Sequence, residues 1–170
     1  MELDAVFKWL FETSFAITIH ESEAIFPWIE SFHVLAITLV VGSIAIVDLR
    51  LLGFASLDRT VARLTKDVLP CTWVAFAVAA TTGAALFASN AVNYSHNFYF
   101  QGKMVLLLVA GINMLIFQLL IGRDIERWNA SSQTPMAAKV SAAVSLVLWV
   151  GVVGFGRWIG FTLLPTLAGG

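Results

Sequence analysis

The sequence predicts an all-α integral membrane protein, with four transmembrane helices in an antiparallel bundle and an N-terminal amphipathic interfacial helix. Hydrophobic residues make up 59% of the 170 residues, and the mean hydropathy of +0.85 exceeds that of soluble domains. The apolar residues also gather in four runs, each near the roughly 20 residues with which a helix crosses about 30 Å of hydrocarbon. We therefore interpret residues 1–170 as a single transmembrane domain.

Residues 1–21 predict an amphipathic helix at the membrane surface. Leu3, Phe7 and Leu10 share one side of a helical wheel, whereas Asp4 and Lys8 lie on the other. This pattern is typical of interfacial helices; a helix docked on the bundle is the alternative. Acidic residues stand where a secretory signal carries positive charge, so we expect the segment to be retained.

The four apolar runs place the transmembrane helices at about residues 28–52, 69–88, 104–121 and 140–164. Pro27 and Pro70 stand near the starts of the first two runs. A proline in the first turn of a helix sacrifices no intrahelical hydrogen bond, which suits both positions.

The distribution of Lys and Arg predicts the orientation. The connections after the first and third transmembrane helices lie on the same side of the membrane. They and the adjoining helix ends hold seven of these residues: Arg50, Arg59, Arg63, Lys66, Arg123, Arg127 and Lys139. The other side holds three. Cytoplasmic loops carry an excess of Lys and Arg. We therefore expect a multi-pass protein of the bacterial inner membrane, with both termini in the periplasm.

His33 is the strongest candidate for a functional residue, because an ionisable side chain inside a membrane helix needs a partner in the bundle. Glu30 lies three residues earlier on the same side and could fix the imidazole tautomer for metal ligation. A neutral imidazole is also a common haem ligand. The alternative is a histidine that packs by hydrogen bonding to a neighbouring helix.

Four further ionisable residues lie at or near the same predicted outer surface. Lys103 and Arg157 either extend to the interface or clamp an anionic group such as a haem propionate. His20 and His96 are exposed by default, and together with His33 they are the candidate metal ligands.

At the cytoplasmic side we expect a cluster of ion pairs. Asp48 and Arg50 point to different sides of the helix, so each needs a partner elsewhere. The candidates lie in the third connection: Arg123, Asp124, Glu126 and Arg127. Asn113 and Gln118 are predicted to form interhelical hydrogen bonds.

Several of these residues fall in motifs that resemble an uncharacterised family of bacterial four-helix inner-membrane proteins. The motifs are His33-Val-Leu-Ala, Asp48-Leu-Arg-Leu-Leu-Gly53, Gly102-Lys103-Met-Val-Leu-Leu-Leu and Gly156-Arg157-Trp-Ile-Gly160, with Gly42 and Asn113. The chain is also similar, more distantly, to the copper-resistance D and HemJ-type membrane proteins. That resemblance implies haem association, with His33 and Lys103 as the matching positions.

These observations favour a membrane-embedded cofactor-binding protein, with b-type haem on His33 and electron transfer at the periplasmic face. One alternative is a non-enzymatic accessory subunit of a larger respiratory or photosynthetic membrane complex, or a homo-oligomer. Another is periplasmic metal-ion handling by the three histidines and nearby carboxylates, with Met104 and Met114 present as softer ligands. The net charge of -1 leaves no basic excess for binding nucleic acid. The expected partner is the lipid bilayer, because the chain is strongly apolar.

Overall fold

A computed structural model describes residues 2–55, 60–121 and 134–163. In these ranges the chain forms α-helices and no strand. The helices are α1 (Glu2–Phe11), α2 (Ser14–Glu21), α3 (Ile25–Leu52), α4 (Val61–Ala88), α5 (Ala91–His96), α6 (Phe98–Ile116) and α7 (Met136–Leu163). A π-helical turn, Phe117–Ile121, continues α6.

Four of these helices are long and apolar enough to cross a membrane: α3, α4, α7, and α6 together with its π-helical turn. At about 1.5 Å per residue, the 28 residues of α3 or α4 extend about 42 Å. Because this exceeds the roughly 30 Å of hydrocarbon, such helices tilt or project beyond the apolar layer. The chain therefore has the architecture of a multi-pass membrane protein.

The start of α4 differs from the sequence prediction. The helix begins at Val61, so Pro70 lies inside it instead of in its first turn. The Thr60 hydroxyl accepts a hydrogen bond from the Arg63 amide at 3.3 Å and caps the earlier start. The polar first turns continue the helix beyond the apolar run, which is why hydropathy alone placed its start too late.

The end of α3 matches the sequence prediction, because Gly53 terminates the helix. Its φ of 87° lies in the left-handed region that a side chain rarely adopts. The Gly53 amide donates to the Arg50 carbonyl at 3.1 Å, and the Phe54 amide donates to the Leu49 carbonyl at 2.9 Å. These bonds satisfy carbonyls that the last turn leaves open.

The N-terminal segment forms two helices instead of one. Thr13 separates them, because its hydroxyl accepts from the Ala16 amide at 3.3 Å and caps α2. Phe7 of α1 meets Phe87 of α4 edge to face, with 5.7 Å between ring centroids. Phe87 in turn stacks on Phe100 at 5.1 Å. The segment thus contacts the rest of the protein through aromatic rings.

The long helices pack mainly in two pairs, α3 with α4 and α6 with α7, and α3 also contacts α7. In the first pair His33 contacts Thr82, and Ser43 contacts Thr72. We call the part of the bundle around His33 and Lys103 the His33 end. We call the part around Asp48, Asn113 and Ser141 the Asp48 end. A small apolar core at the Asp48 end is formed by Leu51, Val61, Ala138 and Ala142.

Candidate functional site

The half-buried His33 imidazole lies between α3 and α4. Its Nδ1 is 2.9 Å from the Thr82 hydroxyl. The backbone of Ala79, one turn earlier on α4, also contacts the imidazole. The ring is therefore held by α4, the helix that packs most extensively against α3.

The hydrogen bonds of Thr82 assign the proton of the neutral His33 imidazole. The Thr82 hydroxyl carries one hydrogen, and it lies 2.6 Å from the Val78 carbonyl, which can only accept. The hydroxyl therefore donates to Val78 and accepts from Nδ1–H of His33. This tautomer leaves the lone pair on Nε2, the arrangement in which a histidine ligates a metal while its other nitrogen donates a hydrogen bond.

Gly83 makes room for the imidazole. A Cβ atom at this position would lie 2.8 Å from His33 Cε1, closer than side-chain carbons approach one another. The absence of a side chain therefore lets the ring lie directly against the α4 backbone. The consecutive pair Thr82 and Gly83 thus supplies both the hydrogen-bond partner and the space for His33.

Lys103 extends the site to the second pair of helices. This half-buried residue of α6 lies close enough to His33 for its charge to act on the imidazole. Its Nζ is 3.8 Å from the position of a Cβ on Gly156, so the side chain lies against α7. Within the described part of the chain, no hydrogen bond or ion pair engages the ammonium. Residues from all four long helices thus surround an imidazole and an unpaired cation.

Glu30 and Arg157 have other partners than the ones the sequence suggested. Glu30 is exposed, and its carboxylate acts on Tyr94, whose pKa is raised by burial and further by this charge. The Arg157 guanidinium lies over the Phe161 ring, 4.8 Å from its centroid. His33 is therefore oriented by Thr82, and Lys103 is the cation placed beside it.

The other two histidines, His20 and His96, have contact partners that differ from those of His33 and from one another. The exposed His20 ring meets Phe11 edge to face at 5.4 Å. His96 Nε2 is 3.4 Å from an Asp4 carboxylate oxygen, and its Nδ1 is 2.9 Å from the Val92 carbonyl. Among the described residues, no group of three or more His, Cys, Asp or Glu could hold a metal ion.

His96 instead lines an open depression of about 440 Å³, together with Val92, Asn93, Asn97 and Thr162. Asn97 fixes this region, because its amide nitrogen donates to the Thr162 hydroxyl at 2.8 Å. The side-chain oxygen of Asn97, Oδ1, also accepts hydrogen bonds from the Tyr99 and Phe100 backbone amides, which caps α6.

At the Asp48 end, Asp48 is 6% exposed, and the Ser145 side chain of α7 lies near its carboxyl group. Arg123 and Arg127, the basic partners considered for it, lie outside the described residues. Asn113 forms the interhelical hydrogen bonds predicted for it, at 3.1 Å to the Ser141 carbonyl and 3.1 Å from the Ser141 hydroxyl. Gln118 is exposed and makes no such bond to the described part of α7.

Sequence reasoning missed Thr82 and Gly83 as members of the site. The available signal was weak: two hydroxyls and a glycine in succession, Thr81-Thr82-Gly83, within an otherwise apolar helix. Small and hydroxyl residues mark close helix contacts in membranes. They do not show which helix makes the contact.

Comparison with family models places the chain: it belongs to a family of unknown function (DUF6644), whose model matches residues 6–162. The matched range includes both ends of the bundle and the whole His33 site. No curated protein and no solved structure matches the chain. The family match is consistent with the uncharacterised family that the sequence motifs resemble.

Proposed function

We propose that this member of the family is an inner-membrane protein that binds a cofactor within its bundle, a b-type haem with His33 as axial ligand. One observation carries the proposal: an imidazole whose Nδ1–H is held by Thr82 lies beside the ammonium of Lys103, which has no ion-pair partner among the described residues. Ionisable groups inside a membrane bundle are energetically costly, so their presence there points to a functional role.

The donor set of the chain fits haem. The tautomer of His33 leaves Nε2 to bind iron, and the Thr82 hydroxyl would orient the ring and raise its basicity. Lys103 would pair with a propionate carboxylate, the kind of anion that an ammonium in apolar surroundings requires. Bound haem would supply one-electron transfer, and the surrounding helices would exclude water from it. The sequence motifs resemble HemJ-type proteins more distantly, and that resemblance, with His33 and Lys103 as the matching positions, implies the same assignment.

Optical spectroscopy of the purified protein, reconstituted with haem, tests the proposal. We expect a Soret band that His33→Ala removes or strongly shifts and that Lys103→Met weakens through lower occupancy. His20→Ala and His96→Ala are matched controls, because these exposed histidines lie outside the site, and they should leave the band unchanged. Haem binding that survives in His33→Ala, or that is lost equally in the control variants, would contradict the assignment.

An accessory membrane subunit is the second candidate function, and one observation favours it. Gly111 of α6 and Gly154 of α7 are exposed, and a Cβ at either position would meet nothing within 4 Å. Such glycines allow the backbone of another helix to approach closely. In this case the His33–Thr82 hydrogen bond serves packing. Co-purification of a larger complex, with a flat visible spectrum, would support it against haem binding.

The proposed membrane arrangement is an antiparallel bundle with both termini in the periplasm and α1 along the periplasmic surface. Two contact pairs in each helix pair support the antiparallel packing: His33 with Thr82 and Ser43 with Thr72 in one, Gly102 with Phe155 and Asn113 with Ser141 in the other. In both sets the residue number rises on one helix as it falls on the other.

Cysteine labelling in intact cells tests the orientation. The single cysteine, Cys71, is exposed, so it is first replaced by Ala. We then expect a membrane-impermeant maleimide to label His96→Cys but not Thr60→Cys before the cells are lysed. The reverse pattern would invert the topology.

A further inference from the structure

A second polar site, separate from the proposed haem site, lies at the Asp48 end. Asp48 is 6% exposed. The Ser145 side chain of α7 lies near its carboxyl group, and its Oδ2 is buried and has no hydrogen-bond partner. No ion pair links Asp48 to the rest of the described chain. An ionised carboxylate in this position would have no ion-pair partner among the described residues, and a buried charge without such a partner is costly at low dielectric.

A second unpartnered group lies at the same level. The Thr65 hydroxyl of α4 is also buried without a hydrogen-bond partner. The contacts of His33 with Thr82 and of Ser43 with Thr72 set the register of α3 against α4. That register places Thr65 opposite Arg50, about 3 Å along the helix axis from Asp48.

The surroundings favour a neutral group over a charged one. Leu51, Val61 and Ala142, each at most 2% exposed, form the apolar core at this end together with Ala138. The charged residues of the elements packed here are Arg50, Arg63, Lys66, Asp67 and Lys139. Arg63, Lys66 and Asp67 are exposed, and none of the five forms an ion pair with Asp48.

We propose that Asp48 is a proton-binding site, a neutral carboxylic acid with the hydroxyls of Ser145 and Thr65 as its polar surroundings. The proton binds to Oδ2, the oxygen without a partner, and comes from water at the membrane surface nearest the Asp48 end. Binding removes the charge of the carboxylate and gives the group a hydrogen to donate. No electron moves, and release returns the proton to water.

Infrared spectroscopy of the full-length protein in lipid, without added haem, tests this proposal independently of His33. We expect the carbonyl stretching band of a protonated carboxylic acid at mildly acidic pH, shifted to lower frequency in D2O and lost as the pH is raised. Asp48→Asn should abolish the band. Asp67→Asn, which changes an exposed carboxylate of α4 near the same end, is the matched control and should leave it unchanged.

Thr65→Val provides a second measurement on a chain that retains the carboxyl group. Removing the neighbouring hydroxyl should shift the frequency of the Asp48 band without abolishing it. A wild-type spectrum without a protonated-acid band at mildly acidic pH would overturn the proposal, and so would a band that persists in Asp48→Asn. Either result leaves the test of haem binding by His33 intact.

Discussion

The Nδ1 of His33 and the hydroxyl of Thr82 lie 2.9 Å apart and join the two helices of the first pair by a side-chain hydrogen bond. Thr82 passes the interaction on to its own helix, because its hydroxyl donates to the Val78 carbonyl. A single threonine therefore sets both the position and the tautomer of the imidazole.

Thr82→Val should destabilise the bundle by about 1 kcal/mol, the size of an interhelical hydrogen bond in membrane proteins. Thr81→Val is the matched control. The exposed Thr81 hydroxyl also bonds to its own backbone, at 2.9 Å from the Ala77 carbonyl, but it touches no other helix through that bond. Unfolding in mixed detergent micelles measures both variants. Equal losses would show that the His33–Thr82 bond contributes nothing.

Gly102→Ala should destabilise the contact between α6 and α7 by about 1–3 kcal/mol, as overpacking does elsewhere. A Cβ at Gly102 would overlap Cε1 and Cδ1 of Phe155. Gly111→Ala, on the same helix with nothing within 4 Å of the new Cβ, should be neutral or stabilising.

The double variant Gly102→Ala with Phe155→Leu identifies the clash. Because leucine has no aromatic ring, the double variant should be more stable than the sum of the two single changes predicts. Strict additivity in the unfolding free energies would show that the two residues do not interact.

Asn113→Ala removes both hydrogen bonds to Ser141 and leaves a buried Ser141 hydroxyl without its partner. We expect a loss of about 1–2 kcal/mol in the free energy of unfolding. Gln118→Ala, an exposed amide on the same helix segment, should change stability by less than about 0.5 kcal/mol. A larger effect of Gln118 than of Asn113 would contradict the described packing.

Tyr94 should lose its phenol proton at a higher pH than an exposed tyrosine, because burial raises its pKa above the ordinary value of 10.0 and the charge of Glu30 raises it further. The neutral phenol is the favoured form in the folded protein. Its contribution to stability is therefore fully present below pH 10.0 and is lost as the pH rises through the folded-state pKa.

Glu30→Gln should therefore move the tyrosinate absorbance midpoint of Tyr94 to lower pH. Tyr94→Phe removes the corresponding component and identifies it, since the chain contains two tyrosines. A midpoint that is unchanged or higher in Glu30→Gln would show that the carboxylate does not act on the phenol.

Hydropathy could predict the four long helices, because crossing hydrocarbon requires apolar runs of a fixed minimum length. It could not predict where α4 begins. Residues from Val61 onward are amphipathic and continue the helix past the apolar run, capped by Thr60. The end of α3 was predictable, since Gly53 directly follows the apolar segment and adopts the conformation that ends helices.

The residues of the His33 site could be predicted only in part from the sequence. His33 and Lys103 stand out as ionisable residues in apolar helices, and the structure brings them together. Glu30 was predicted as the partner of His33 from a spacing of three residues, which brings side chains together on one helix surface. Spacing within one helix cannot reveal a competing partner on another, and Thr82 is that partner.

The division into two helix pairs makes the geometry of the His33 site depend on how the pairs are positioned relative to each other. The imidazole belongs to the α3–α4 pair, whereas the Lys103 ammonium belongs to the α6–α7 pair. Asn97 and Thr162 join the start of α6 to the end of α7, and Asn113 joins these helices further along, so the second pair is braced along its length. A rotation of one pair against the other would therefore change the spacing of imidazole and ammonium before it disturbed either pair internally. The distance between the His33 imidazole and the Lys103 ammonium therefore depends on how the two helix pairs are aligned.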